Sequence, residues 1–383
     1  MDFALSEDQK MIRETAASFV KKDSPVERMR KLRDTELSYD KAVWKTMGEL
    51  GWLGLPLPDA VGGFGGTMLD AAILLEQFGT TLVPEPYLAS VILGGMAAMH
   101  GATEAQQKEL LGPMVEGDTS LALAWSERQS RYDACDVATT AEKSGDHWAL
   151  RGEKVWVLNG HAADTLLVSA RTAGDSRDRD GISLFAVDKA ASGLTVQALK
   201  TMDGGKAAHL QLDGAEGRLL GDEGAAGGPL RHVLDKGAAA ACAEGLGIAN
   251  TVLWMTVEYL KTRKQFGVPI GVFQGLQHRA VDMFVQVELL KGASILANGK
   301  ADESDEAERE HAVSAAKVLL SKGGFYVAAQ GTQLHGGVGV TDEHDVSLYF
   351  KRMRALVGLF GDEQHHVQRF MHSPQFEAGV EAG

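Results

Sequence analysis

The hydrophobic period of this chain changes twice along its length, and that order constrains its fold more than any other feature. Apolar residues first recur at helical spacing. From about Ser120 they fall into short β-rich runs, and from Pro229 to about Phe370 the helical spacing returns. At 383 residues the chain is too long for one simple core. The expected architecture is α+β and multidomain. Its parts are a helical domain over 1–118, a β domain over 119–226 and a helical bundle over 227–383.

Local signals fill in this outline. Ser6 followed by Gln9 is a capping-box pattern, and Met11, Ile12, Thr15, Ala16, Phe19 and Val20 continue at helical spacing. Further helices are expected roughly over Tyr39–Leu50, Thr67–Phe78, Leu88–Met99 and Glu104–Val115. The glycine-rich "VGGFGG" (Val61–Gly66) lacks the phosphate-loop pattern and a strong preceding strand, so it reads as a turn. "SLALAWSE", "HWALRGEKVWVLNG", "TLLVSART", "GISLFAVD" and "AAHLQLDG" predict an antiparallel β domain. Four long helical segments follow, Pro229–Arg263, Phe273–Ala301, Asp305–Gln330 and Asp345–Leu359, with the short connections of an antiparallel bundle. Trp254 reads as a core aromatic, and "ADESDEAERE" (Ala301–Glu310) as a solvated connection.

Composition narrows the function classes. A formal net charge of −14 argues against a general nucleic-acid binder, since phosphates need a basic surface. Cys135 and Cys242 are too far apart for a Cys-x-x-Cys metal pair, and two cysteines fit a reducing cytoplasm. The opening "MDFALSEDQK" is acidic and lacks the apolar core of a signal peptide. The most apolar runs, such as "AAAACAEGLGIA", carry charge or are too short to span a bilayer. The expectation is a soluble cytoplasmic protein that binds neither nucleic acid nor membrane.

Two segments carry most of the chemical information. In "TVEYLKTRKQFGVPIGVFQGLQHRAVDM" (Thr256–Met283), Arg263 and Lys264 close a long helix, Phe266 and Gly267 follow, and Gln274 and Gln277 open the next helix. Cations at a helix C-terminus also have a plain role, complementing the macrodipole. In "GTQLHGGVGVTDEHDVSLYFKR" (Gly331–Arg352), Gly336, Gly337 and Gly339 would let the backbone approach a ligand closely. A helix precedes these glycines, so this is not the dinucleotide fingerprint that follows a strand.

Together, at this spacing and after a β domain, the two segments resemble the acyl-CoA dehydrogenase family. "RKQFGVPIGVFQGLQH" and "QLHGGVG" carry the match, and "LSEDQ" with "GWLGLPLPDAVGGFGG" extends it over essentially the whole chain. Within the family the chain is most similar to the small subunits of pimeloyl-CoA dehydrogenase, through "ERQSRYDACDVATTAEK", "DTLLVSARTAG" and "YLKTRKQFGVPIGVFQGLQHRA". The resemblance implies the acyl-CoA dehydrogenase fold: N-terminal helices, a middle β-barrel and a C-terminal four-helix bundle. It implies FAD held between the barrel and the bundle, partly by a neighbouring subunit. Arg263 would face the FAD pyrophosphate, and Phe266 and Gln274 would line the same site. Gln333 and Gly337 would hold the diphosphate and adenosine side. Trp156 would pack on the flavin, with Val157 and Leu158 offering backbone groups. The implied reaction is α,β-dehydrogenation of an acyl-CoA thioester, with an electron-transfer flavoprotein as acceptor. The implied assembly is a homo- or hetero-oligomer, in the first instance a tetramer, with a large subunit as one candidate partner.

The C-terminal "LVGLFGDEQHHVQRF" (Leu356–Phe370) departs from the family pattern. The family's usual base, a glutamate just before the glycine, is replaced by Phe360 before Gly361. A minority of members place the base at the start of the first long bundle helix, where this chain has Gly237 and Ala238. Asp235 and Glu244 are the remaining candidates. Glu244 lies seven residues past Gly237, on nearly the same helix face but about 10 Å along the axis. By the resemblance, Asp362 and Gln364 fall at the adenosine end of FAD. Asp362, Glu363, His365 and His366 make a weak metal site, because adjacent helical residues point in different directions. An acidic helix start explains them more simply. His278 reads as a packing or subunit contact, and His335 as part of the glycine loop. Three readings stay open: a dehydrogenase with a displaced base, a flavin-binding or structural subunit of a heteromeric dehydrogenase, and a flavin oxidase or monooxygenase on the same fold.

Overall fold

A computed structural model describes residues 5–145 and 147–376. Helices α1 (Glu7–Lys22), α2 (Val26–Leu32), α3 (Lys41–Glu49), α4 (Met68–Thr81), α5 (Met96–Gly101) and α6 (Glu104–Val115) come first, with a π-helical segment, Leu88–Gly95, leading into α5. Seven strands follow: β1 (Leu121–Ala124), β2 (Thr140–Ser144), β3 (His147–Leu158), β4 (Thr165–Arg171), β5 (Ile182–Asp188), β6 (Leu194–Lys200) and β7 (Lys206–Leu220). Then come α7 (Gly227–Thr262), the short strands β8 (Lys264–Gln265) and β9 (Val268–Pro269), α8 (Gln274–Lys300), α9 (Glu306–Leu319), α10 (Phe325–Leu334), α11 (Asp345–Gly358) and α12 (Glu363–Met371). The chain packs as two compact units. One comprises the N-terminal segment to Arg30, Met68–Val83 and the chain from Ala238; the other comprises Lys31–Thr67 and Pro84–Gly237.

The second unit is built on a closed sheet. Strand β4 pairs with β5, β5 with β7, β7 with β3, β3 with β2, and β2 returns to β4 through the single pair Thr140–Arg171. Closure leaves no open edge within this ring. Leu150, Val157, Leu166, Val168, Phe185, Val187, Leu210 and Leu212 fill the interior. The expected all-antiparallel pairing is corrected in two places: β1 and β2 both pair parallel with β4. A parallel neighbour needs a long crossover, and residues 125–164 supply it between β1 and β4; alternation within a strand does not reveal its partner's direction. A buried ion pair ties the wall of the sheet to the 127–139 loop. The Lys154 Nζ donates to Glu127 Oε1 (2.6 Å), Ser169 Oγ (3.0 Å) and the Trp125 carbonyl (3.3 Å).

The first unit is helical. Its opening cap is as the sequence predicts: Ser6 Oγ accepts from the Gln9 amide at 3.2 Å, and the Gln9 side chain accepts from the Ser6 amide at 3.1 Å. Helices α4 and α7 cross at backbone contact. A Cβ on Gly247 would lie 1.9 Å from the Glu76 carbonyl oxygen, and one on Gly79 2.2 Å from that of Glu244. The single helix expected over Asp305–Gln330 is interrupted by a π turn at Leu320–Gly324, which separates α9 from α10. Trp254 is 51% exposed, so its expected place in the core is corrected; only half of each bundle helix faces inward, and Trp254 lies on the other half. The acidic connection is partly corrected too. Its second half is the first turn of α9, and Arg309 is buried there, donating to the Glu303 carbonyl at 2.8 Å. By length and composition α7 could cross a membrane, yet most of its apolar window is buried in the protein.

Candidate functional site

One end of the helical unit gathers the residues singled out around Arg263. Helix α7 stops at Thr262, and the chain turns through a hairpin whose two tip residues, Phe266 and Gly267, have φ of +54° and +83°. Two consecutive positive φ values are the signature of the tight hairpin turn that suits strand twist. Glycine takes this conformation freely, but phenylalanine does so under strain. Phe266 is nevertheless 90% exposed, with the ring of Phe273 edge-on at 6.0 Å. Arg263 is exposed just past the helix, and its guanidinium has no ion-pair or hydrogen-bond partner among the described residues. Gln274 opens α8, also exposed.

The glycine loop lies at the same end. Tyr259, one turn before Arg263, packs on the ring of His335 at 4.4 Å, two residues past Gln333. His335 is buried and bonded through Nδ1 to the Gly331 carbonyl at 2.7 Å. Gly336–Val340 form a 3-10 turn in which Gly337 is exposed with open space over its Cα, and Gln333 is exposed beside it. Gly339 is closed, since a Cβ there would meet the Thr332 carbonyl oxygen at 2.3 Å. This end therefore offers a guanidinium, two amide side chains, an exposed ring and bare backbone, a set suited to the phosphates and adenosine of a dinucleotide.

In the β unit, Trp156 sits at a register break in β3, between Lys154 and Val157, with φ +55°. A bulge re-aims a side chain out of the pleat, and Trp156 is 60% exposed. Leu158 is half-buried and back in register with Ala207.

The candidate bases fare differently. Glu244 is 7% exposed and held by Arg352 of α11, whose Nε and Nη2 reach its two carboxylate oxygens at 2.6 and 2.9 Å. Both oxygens are thus engaged in a bidentate ion pair, which argues against Glu244 as a proton acceptor. Asp235 is 2% exposed on α7, beside equally buried Lys236, and interacts with neighbouring groups. Phe360 occupies a left-handed position, φ +59°, between α11 and α12. Asp362 caps α12, accepting from the His365 amide at 2.9 Å, and Gln364 is exposed in its first turn. The rings of His365 and His366 stand at 89° to each other, and no group of three metal-ligating side chains occurs among the described residues. Sequence reasoning missed Arg352, whose partner lies 108 residues away, and Lys317. Lys317 did leave a signal: it is the one cation in the apolar run "SAAKVLL".

Known proteins share this layout. The N-terminal, middle and C-terminal domains of acyl-CoA dehydrogenases match residues 6–118, 122–215 and 230–372. The chain belongs to the acyl-CoA dehydrogenase family. Among its relatives, a probable acyl-CoA dehydrogenase YngJ of Bacillus subtilis is 29% identical over 98% of this chain and 99% of its own. The acyl-CoA dehydrogenase IpdE2 of Mycolicibacterium smegmatis is 30% identical over 95% and 98%. The ChsE4–ChsE5 complex of Mycobacterium tuberculosis contains a chain that superposes with a TM-score of 0.86 at 28% identity, covering 96% of this chain and 97% of that one. The family consists of FAD-dependent oxidoreductases acting on CH–CH donors, and its three-domain fold is the one seen here.

Proposed function

We propose that this chain is the FAD-binding subunit of a heteromeric acyl-CoA dehydrogenase, in which a partner subunit supplies the catalytic base. The observation that carries this reading is the state of the base positions. Phe360 and Gly237 have no carboxylate, Glu244 is clamped by Arg352, and Asp235 is buried beside Lys236. A general base must reach the substrate C2–H at hydrogen-bond distance, and none of these groups is free to do so.

The cofactor residues are intact by contrast. The Arg263 guanidinium has no partner among the described residues and is ready for a diphosphate; Phe266 and Gln274 follow it, and Gln333 and Gly337 lie on the loop that packs against Tyr259 through His335. Trp156 is a bare indole face suited to an isoalloxazine, with Leu158 next to it, and Asp362 and Gln364 are offered to the adenosine end. Bound FAD would supply a hydride acceptor for the acyl C3–H, with an electron-transfer flavoprotein drawing the electrons off. A partner also has a surface to occupy: Val281, Phe284, Val285 and Leu289 form an exposed apolar stripe at helical spacing along α8. The ChsE4–ChsE5 structure shows a related chain in a complex of two different subunits. The likeness to pimeloyl-CoA dehydrogenase small subunits favours a bulky or dicarboxylic acyl group.

Binding of FAD to the purified chain and its variants tests the cofactor half of this reading. A charge-assisted hydrogen bond contributes about 1.5–3 kcal/mol, so Arg263→Ala should raise the FAD Kd by about 10- to 100-fold. FAD affinity unchanged in both Arg263→Ala and Trp156→Ala would remove these residues from the site.

A further inference from the structure

The stretch from Leu356 to Gly361, which ends α11 and leads into α12, is held by two buried side chains that have no role in the site as described so far. Lys317 of α9 is fully buried, and its Nζ donates to the carbonyls of Leu356 (3.0 Å), Val357 (3.4 Å) and Leu359 (2.7 Å). That uses all three donors of an ammonium and sets a positive charge at the C-terminal end of α11. His366 of α12 is fully buried as well. Burial, with the charge of Lys317, pushes its pKa down to about 2, so the ring is neutral. Its Nε2 lies 3.1 Å from the Phe360 carbonyl and its Nδ1 3.3 Å from Ser314 Oγ, one turn before Lys317 on α9. A neutral ring so placed donates from Nε2 to the carbonyl and accepts the hydroxyl proton at Nδ1.

Side chains thus fix the carbonyls of residues 356, 357, 359 and 360. Within this clamp Phe360 keeps φ +59° and Gly361 φ +125°, and a Cβ on Gly361 would lie 2.5 Å from His366 Nε2. A strained non-glycine backbone persists only where its surroundings over-determine it, and such sites cluster where function needs a fixed geometry. A fully buried ammonium is also an expensive way merely to end a helix.

We propose that Lys317 and His366 are positioning residues that hold side chain 360 at a fixed point for chemistry on an acyl thioester. The missing base is then the loss of one side chain on a scaffold that still presents it. This inference rests on the acyl-CoA dehydrogenase reading above.

The test restores a carboxylate at position 360. FAD-loaded Phe360→Glu, without a partner, is titrated anaerobically with butyryl-, octanoyl- and pimeloyl-CoA while flavin absorbance is followed. The new carboxylate would take the C2 proton, the C3 hydride would pass to the flavin and the C2=C3 bond would form, so the flavin should bleach. Adding Lys317→Met should slow bleaching by about 100-fold, the cost of misplacing a reacting group by about 1 Å. Affinity for CoA itself, measured by calorimetry, should stay unchanged, which general damage to the fold would not allow. Should Lys317→Met fold poorly, Ser314→Ala removes only the hydroxyl that orients His366 and should slow bleaching in the same direction by less. Bleaching of Phe360→Glu at the same rate with and without these changes overturns the inference, and so does no bleaching of Phe360→Glu by thioesters that still perturb its flavin spectrum. If no acyl-CoA perturbs the flavin even of the unmodified chain, the acyl-CoA reading fails and takes this inference with it.

Discussion

Glu244 stands in an apolar helical run, and a carboxylate in such a place invites a functional reading. The structure gives it a structural one, through Arg352. Removing one partner of a buried pair leaves the other charge uncompensated, at a cost of about 3–5 kcal/mol when fully buried. The Arg352 side chain is 27% exposed, so Glu244→Gln should lower stability by a discounted amount, about 2 kcal/mol, read from urea unfolding midpoints. The change should leave FAD binding intact. Phe266 behaves in the opposite way. Its φ of +54° stores strain, so Phe266→Gly should make the apo chain about 1 kcal/mol more stable while weakening FAD binding. At this scale the sequence was legible where a local pattern shapes the backbone: the turn after Arg263 and the Gly336–Gly339 loop could be read directly. It was not legible where a partner comes from far along the chain, as for Arg352, or where a face had to be chosen, as for Trp254.

Helix periods were read well because each needs only its own neighbours, and the capping box at Ser6 fixed the start of α1. The π turn at Leu320–Gly324 and the parallel pairing of β1 and β2 with β4 were not visible, since both depend on what packs against the segment. The crossing of α4 and α7 makes a prediction at this scale. Gly247→Ala would drive a methyl into the Glu76 carbonyl and should destabilise by about 3 kcal/mol. Gly299→Ala, in α8 with open space around it, should instead stabilise by about 0.5–1 kcal/mol. Thermal or urea melts of the two variants should therefore move in opposite directions. The barrel carries a pH signature of its own. Burial pushes the Glu127 carboxyl up, but Lys154 and hydrogen bonds from Gln129 and Thr139 hold it below its ordinary value. A carboxyl depressed in the folded state contributes stability that is present above its unfolded pKa and lost as pH falls through the folded one. Urea midpoints should accordingly fall as pH drops below about 4.5, and the Glu127→Gln, Lys154→Met double variant should show a shallower fall.

For the whole molecule, the order of helices, sheet and helices was enough to suggest the architecture, and two motifs were enough to suggest the family. What the sequence left open was which of three readings holds, because an absent carboxylate at two positions does not say whether a third has replaced it. The structure narrows that choice by showing Glu244 already engaged and Asp235 buried. It also exposes the α8 stripe that a partner subunit would cover. The most direct test is an anaerobic titration of the purified FAD-loaded chain with a panel of acyl-CoAs, following flavin absorbance before and after adding a co-expressed partner that carries the base. The chain alone should show spectral perturbation without bleaching, and bleaching should follow once the partner is present. Bleaching of the isolated chain by any thioester would show a working base within it and contradict the account.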